Sequence, residues 1–261
     1  MVSQLQIAGM VLQIIICLAF PTALIIYLKR KHTFSWKSFF IGIVIFIVFS
    51  QILEKLLHLL VIDLSSPVPA LKMTDSKIAF VLYGALAAGV FEELGRYFGF
   101  KVLLRKNRNY YDGLSFGIGH GGIEAILIGA LTAINSLVIA NLINNGMFDA
   151  TIGASAPPEQ VEQIKNQIMN SNFAMSIVAG LERVFAILLH IAFSLIVLLG
   201  VREHKFIYVV YAIGLHALLD IAPALYQVGI LTNIWVIELI IAFFGISALY
   251  FIIKVKARFG V

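Results

Sequence analysis

Seven stretches of this chain, about 5–28, 38–62, 77–104, 113–143, 172–201, 206–226 and 230–253, are apolar almost throughout. Each is ~20 residues or longer, the length an α-helix needs to cross a hydrocarbon layer ~30 Å thick. None shows the alternation over ~10 residues that marks a membrane β-strand. The whole sequence of 261 residues is 61% hydrophobic and only 13% charged, with a mean hydropathy of +0.97. No water-soluble domain of this size has such a composition. The expected fold is all-α: a polytopic membrane helix bundle of about seven transmembrane helices, forming one integral-membrane domain over 1–261. The expected location is the cell membrane, crossed several times.

The basic residues set an orientation. Of the 19 lysines and arginines, thirteen lie at the end of the first, third, fifth and seventh apolar stretches or directly after them. These are Lys29, Arg30, Lys31 and Lys37, then Lys101, Arg105, Lys106 and Arg108, then Arg202 and Lys205, and finally Lys254, Lys256 and Arg258. The opposite loops carry only Lys72, Lys77 and Lys165, and Lys55, Arg96 and Arg183 fall inside spans. Positive charge accumulates on the cytoplasmic side of membrane proteins, so the N-terminus is expected outside and the C-terminus inside. The same placement explains a net charge of +5 without any nucleic-acid partner. The first apolar stretch has no basic residue before it and so reads as a span, not a cleavable signal. A single cysteine, Cys17, excludes an internal disulfide and reads as a core or lipid-facing apolar residue.

The connectors contain two features. Leu64–Pro69 is a turn-rich link. The longest loop, 144–171, holds Pro157-Pro158 followed by Val161, Ile164 and Ile168 at helical spacing. Proline suits a first helical turn, so a short amphipathic helix on the outer face is expected, as a plain connector or as a lid.

Ionisable residues inside the spans are the chemically informative ones. Each costs roughly 2.5–3.5 kcal/mol at the bilayer centre and must pair, face water or work. The third span carries Phe91-Glu92-Glu93-Leu94-Gly95-Arg96. Glu92 and Glu93 lie four and three residues before Arg96, so an intrahelical pair can form. The glutamates differ by about 100° around the axis, so one can meet Arg96 while the other faces a cavity. Further polar residues are Glu54, Lys55 and His58 in the second span, and His120 and Glu124 in the fourth. The fifth carries Glu182, Arg183 and His190, the sixth His216 and Asp220, and the seventh Glu238.

Depth links four of them. Counted from Arg105, Arg108, Arg202 and Lys205 respectively, Glu92, His120, His190 and His216 each lie roughly 17–20 Å inward at 1.5 Å per helical residue. They share a level near the middle of the bilayer. Glycines Gly113, Gly117, Gly119, Gly121, Gly122 and Gly129 crowd the fourth span around His120. Glycine there serves close helix packing, or close approach of a substrate backbone. Glutamate and imidazole at one depth suit activation of water, with the carboxylate taking the proton and an imidazole assisting. The soluble zinc-protease pattern is absent, and no serine, histidine and aspartate set stands out.

Glu92-Glu93-x-x-Arg96, Phe116-x-x-x-His120 and His216-x-x-x-Asp220, in that order on separate spans over roughly 77–226, resemble the motif series of the CAAX-protease and bacteriocin-processing (CPBP) superfamily of intramembrane proteases. That superfamily is related to the PrsW-like peptidases. In overall pattern the sequence is most similar to the YhfC family of membrane peptidases. The resemblance implies an intramembrane endopeptidase of glutamic type, with Glu92 as the base that activates water and His120 assisting. It implies an oxyanion site at His216 and Asp220, with Glu93 and Arg96 orienting the first helix. Two departures stand out: Arg96 follows the glutamate pair after two residues instead of three, and Asp220 stands where many members carry asparagine. His190, with His190-x-x-x-Ser194, resembles an additional histidine of the PrsW-like and YhfC-like chains. A metal-free mechanism with no cofactor is the expectation, although His120, His190 and His216 could instead hold zinc.

The implied partners are membrane lipid and a peptide or membrane-protein substrate. Two other readings use the same residues: a proton- or divalent-metal-coupled transporter, and a non-catalytic scaffold in which the motifs glue helices.

Overall fold

The computed structural model describes residues 1–64, 66, 68–153 and 157–260. Seven helices are long and apolar enough to cross a membrane: α1 Gln4–Lys31, α2 Trp36–Val61, α3 Lys77–Leu103, α4 Tyr110–Asn144, α7 Phe173–Arg202, α8 Ile207–Gln227 and α9 Ile234–Phe259. Two shorter helices, α5 Phe148–Thr151 and α6 Pro158–Met169, lie between α4 and α7. No strand occurs among the described residues. The protein is therefore an all-α, multi-pass membrane protein, as its apolar runs require.

Local chemistry explains where the helices begin. The side chains of Ser35, Ser76 and Asn233 accept hydrogen bonds from the first-turn amides of α2, α3 and α9, satisfying donors that a helix start leaves open. Asn233 accounts for α9 starting at Ile234, four residues later than hydropathy alone suggests. Before it, Gly229 turns the chain with φ +70°, a backbone region that favours glycine. Ser65 and Pro67 of the turn-rich link, and residues 154–156 of the long loop, lie outside the described residues.

The chain divides into two compact units. The first comprises Met1–Ala23 and Glu124–Val184. Here the expected amphipathic helix is found: Pro158 occupies its first turn, and Val161 and Ile168 are buried. Ile168 packs with Val2, Met10 and Ala140. Gln6 donates from Nε2 to the carbonyls of Met169 and Ser171 at 3.0 and 2.5 Å, fastening the end of α6 to α1. A polar pairing of this unit centres on the half-buried Arg183, which donates to the buried Glu124 at 3.0 Å and pairs with Glu182. Cys17 is a core residue, only 1% exposed.

The second unit comprises Leu24–Ile123 and Phe185–Val261. Its enclosed element is the later part of α7, buried at nearly every position from Ile187 to Val201. The first turns of α4 are equally enclosed, from Asp112 to Gly122. Glycine makes this possible. A Cβ on Gly119 would fall 2.1 Å from the Phe39 carbonyl oxygen of α2, and one on Gly117 would fall 2.5 Å from Ile191 Cα of α7. Helix backbones thus touch on both sides of α4, so close packing accounts for its glycine content. Polar clasps fix the same end: Ser38 donates to Asp112 at 2.9 Å, and the Ser35 amide donates to Ser115 at 3.0 Å.

Three spans contain wider turns of π-helical character: Phe46–Glu54 in α2, Gly99–Leu103 in α3 and Ala125–Ala130 in α4. Such turns shift the faces of a helix and recur at functional sites. In α2 they present Phe46, Ser50 and Glu54 as buried residues four apart.

Candidate active site

Six of the seven residues singled out by sequence meet in the second unit. Glu92, Glu93 and Arg96 come from α3, His120 from α4, His190 from α7 and His216 from α8. All six are buried, and Glu93, Arg96 and His120 are fully so. The four helices thus bring their ionisable groups together, as the depth argument expects.

Glu92 is the hub. Its Oε2 accepts from His120 Nε2 at 2.9 Å and from Arg96 Nη2 at 3.3 Å. His190 Nδ1 lies 3.7 Å from the same oxygen. Arg96 Nη2 also donates to His190 Nδ1 at 2.5 Å. Since a guanidinium only donates, Nδ1 is the acceptor in this contact. Arg96 Nη1 donates to Glu93 Oε1 at 2.5 Å. The fork of the guanidinium therefore serves both glutamates, where one paired and one free carboxylate was expected. Two terminal nitrogens diverging from one carbon span two carboxylates one residue apart. The shortened spacing before Arg96 leaves this contact intact.

A second pairing runs beside the first. His216 Nδ1 donates to Glu93 Oε1 at 2.7 Å, and its Nε2 lies 3.5 Å from Asp220 Oδ2. Asp220, with a side chain 32% exposed, stands at the edge of the cluster rather than inside it. Glu93 Oε2, His120 Nδ1 and Arg96 Nε are buried and make no hydrogen bond. Buried polar atoms without partners are rare and point to function.

Aromatic rings wall the cluster. Phe46 meets His120 edge-on at 5.1 Å, Phe116 stacks on the same imidazole at 6.2 Å, and Phe193 stacks on His216 at 5.1 Å. Phe116 belongs to a sequence motif. Phe193 follows His190 by one helical turn, which the spacing could have revealed. Phe46 had no local signal, because it is one apolar residue in an apolar run.

Glu92, His120 and His190 each offer a ligand atom, all within 4.8 Å of one another. Two imidazoles and one carboxylate form a donor set used by catalytic zinc sites, which keep a further position open. The unpartnered His120 nitrogen and the burial of all three residues fit a metal. This trio differs from the His120, His190 and His216 set considered from sequence, because Glu93 engages His216 on the far side of Arg96.

Within the second unit, four apolar helices of a multi-pass membrane protein carry a buried cluster of two glutamates, an arginine and three histidines. The chain belongs to the YhfC intramembrane metalloprotease family, whose sequence pattern matches residues 14–241. It is 35% identical over 259 residues to a Bacillus subtilis (strain 168) protein described as the uncharacterized membrane protein YhfC, covering 99% of this chain and 100% of that relative. No solved structure matches the chain. Family membership makes this a membrane protease, whose partners are membrane lipid and a protein or peptide substrate.

Proposed function

We propose that the chain is an intramembrane endopeptidase in which Glu92, His120 and His190 hold a divalent metal ion and Glu93 accepts the proton of the attacking water. The observation that carries the reading is the convergence of three ligand atoms from three helices within 4.8 Å, deep in an apolar protein. The family's name as a metalloprotease supports metal dependence over the metal-free expectation. Bound there, the ion supplies Lewis acidity, polarising a peptide carbonyl and making a water acidic enough to be activated.

The roles of the remaining residues follow from their contacts. Glu93 has one oxygen held by Arg96 and His216 and the other unpartnered, so Oε2 is the atom available to take a proton. This assigns the base to Glu93 and makes Glu92 a ligand, whereas the sequence resemblance put the base at Glu92. His216 is a positioning residue that fixes the Glu93 carboxylate, and Asp220 orients His216 from the exposed edge. Arg96 balances the charge of two adjacent carboxylates. The aromatic wall excludes bulk water, which strengthens every electrostatic contact inside. With the N-terminus outside and the C-terminus in the cytoplasm, as the basic residues favour, the substrate is an extended segment of a membrane protein reaching mid-bilayer depth.

The test compares two isosteric variants of the full chain in nanodiscs. Glu93→Gln is expected to keep one equivalent of divalent metal and lose cleavage by 100-fold or more, in line with the ~10²–10⁴ contribution of a positioned base. Glu92→Gln is expected to lose both metal and cleavage. Unimpaired cleavage by Glu93→Gln would sink the assignment, and so would unchanged metal content in Glu92→Gln.

A further inference from the structure

A cavity of about 620 Å3 opens at the ends of three site-bearing helices. It is lined by Lys101 beyond the cluster on α3, by Arg105 and Arg108 in the link from α3 to α4, by His204 in the turn between α7 and α8, and by Tyr97 and Phe206. No aspartate or glutamate lines it. The volume falls in the range of small-molecule sites, ~300–1,000 Å3.

Its cations are arranged, not merely accumulated. Arg108 donates from Nε to the Phe100 carbonyl and from Nη2 to the Lys101 carbonyl, both at 3.0 Å. These bonds fix the guanidinium and leave its charge uncompensated. Lys101 lies over the Tyr97 ring, 4.8 Å from its centroid, and Tyr97 packs edge-on against Phe206 at 5.2 Å. The nearby acid, Glu203, is engaged by Arg258 at 2.5 Å and Lys205 at 3.4 Å. His204 is the only non-glycine residue among those described with a positive φ, +56°. A side chain held in this sparsely populated region signals a local demand that overrides backbone preference.

Depth identifies the ligand. Lys101 lies eight residues beyond Glu93, or roughly 12 Å along a helix, and Arg105 follows in the turn after the end of α3. With the cluster near the middle of a ~30 Å hydrocarbon layer, the cations stand at the level of the lipid phosphates. Guanidinium and ammonium groups around a cavity at that level match a phosphate, while Val102 and Val201 supply apolar wall for a glycerol backbone. We propose that this cavity binds the phosphate-bearing headgroup of an anionic phospholipid. The proposal does not depend on the assignment of the hydrolytic residues.

The experiment uses the full chain in detergent, supplemented with phosphatidylglycerol, phosphatidylcholine or inorganic phosphate, and reads melting temperature and lipid retained in native mass spectrometry. Phosphatidylglycerol is expected to raise the melting temperature by several degrees more than phosphatidylcholine and to remain bound. The double variant Lys101→Gln/Arg105→Gln, which changes two exposed side chains, is expected to lose at least half of that increment and the retained lipid. Lys29→Gln/Lys31→Gln, with the same charge change elsewhere, is expected to keep both. Equal responses of wild type and Lys101→Gln/Arg105→Gln overturn the site. A full response to inorganic phosphate alone overturns the lipid as its ligand.

Discussion

His216 on α8 donates through Nδ1 to Glu93 Oε1 on α3 at 2.7 Å, with both side chains buried. The bond requires a proton on Nδ1, and the ring turns Nε2 toward Asp220. It also joins two helices that approach closely, since a Cβ on Gly89 of α3 would fall 2.8 Å from the Ile213 carbonyl oxygen of α8. Removing one partner of such a buried pair typically costs about 3–5 kcal/mol, because the other is left stranded. His216→Ala is therefore expected to lower the melting temperature as well as activity. Asp220→Asn, at the exposed edge, should leave the melting temperature within a degree or two and reduce turnover by less than tenfold. Thermal denaturation and cleavage assays on the two variants check the contrast.

Arg96→Lys tests the fork. A lysine retains the charge but presents one nitrogen, so it cannot serve Glu92, Glu93 and His190 together as the guanidinium does. Burying a carboxylate with an unmet partner costs about 1–3 kcal/mol or more. We expect lower stability, measured by denaturation, together with weaker activity. Full stability in Arg96→Lys would mean that charge alone suffices.

The α4 glycines give a prediction about packing. Gly119→Ala places a methyl 2.1 Å from a backbone oxygen of α2. Overpacking of this kind costs typically 1–3 kcal/mol, occasionally more. Gly84→Ala, with nothing within 4 Å of the new Cβ, should be neutral or stabilising by up to ~1 kcal/mol through helix propensity. Yields of folded protein and melting temperatures of the two variants should move in opposite directions.

Metal removal separates ligation from packing. A bound ion at 100 times its dissociation constant stabilises the folded state by about 2.7 kcal/mol. A strong chelator should therefore lower the melting temperature of wild type, and re-addition of the ion should restore it. His120→Ala and His190→Ala should show no chelator effect. An identical shift in all three proteins would remove the metal from the Glu92 site.

Much of this architecture was legible in the sequence because the membrane imposes it. The seven spans follow from hydropathy, and Glu92, His120, His190 and His216 fall at one depth when counted from the basic residues that end their helices. Rotation about each helix axis was less accessible. A one-residue difference turns a side chain by about 100°, and depth carries no information on that angle. Hence the sequence could not say that His190 joins Glu92 while His216 joins Glu93, nor that Asp220 stays at the edge. Phe46 escaped notice for the same reason, since one apolar residue in an apolar run carries no sign of which way it faces. Pro158 and the spacing of Val161 and Ile168 did suffice for α6, because proline fixes a helix start and two buried positions fix a face.

The wide winding of Phe46–Glu54 has a corollary for chain length. A segment coiled in this fashion fits surplus residues into a given axial rise. Excising one of them would let the coil tighten while both flanks kept step with their neighbours, so that Phe46, next to the leading flank, would hold its place against the His120 imidazole while Ser50 and Glu54 lost the shared face they now occupy. In this stretch, insertions and deletions, not only replacements, govern which side chains turn inward.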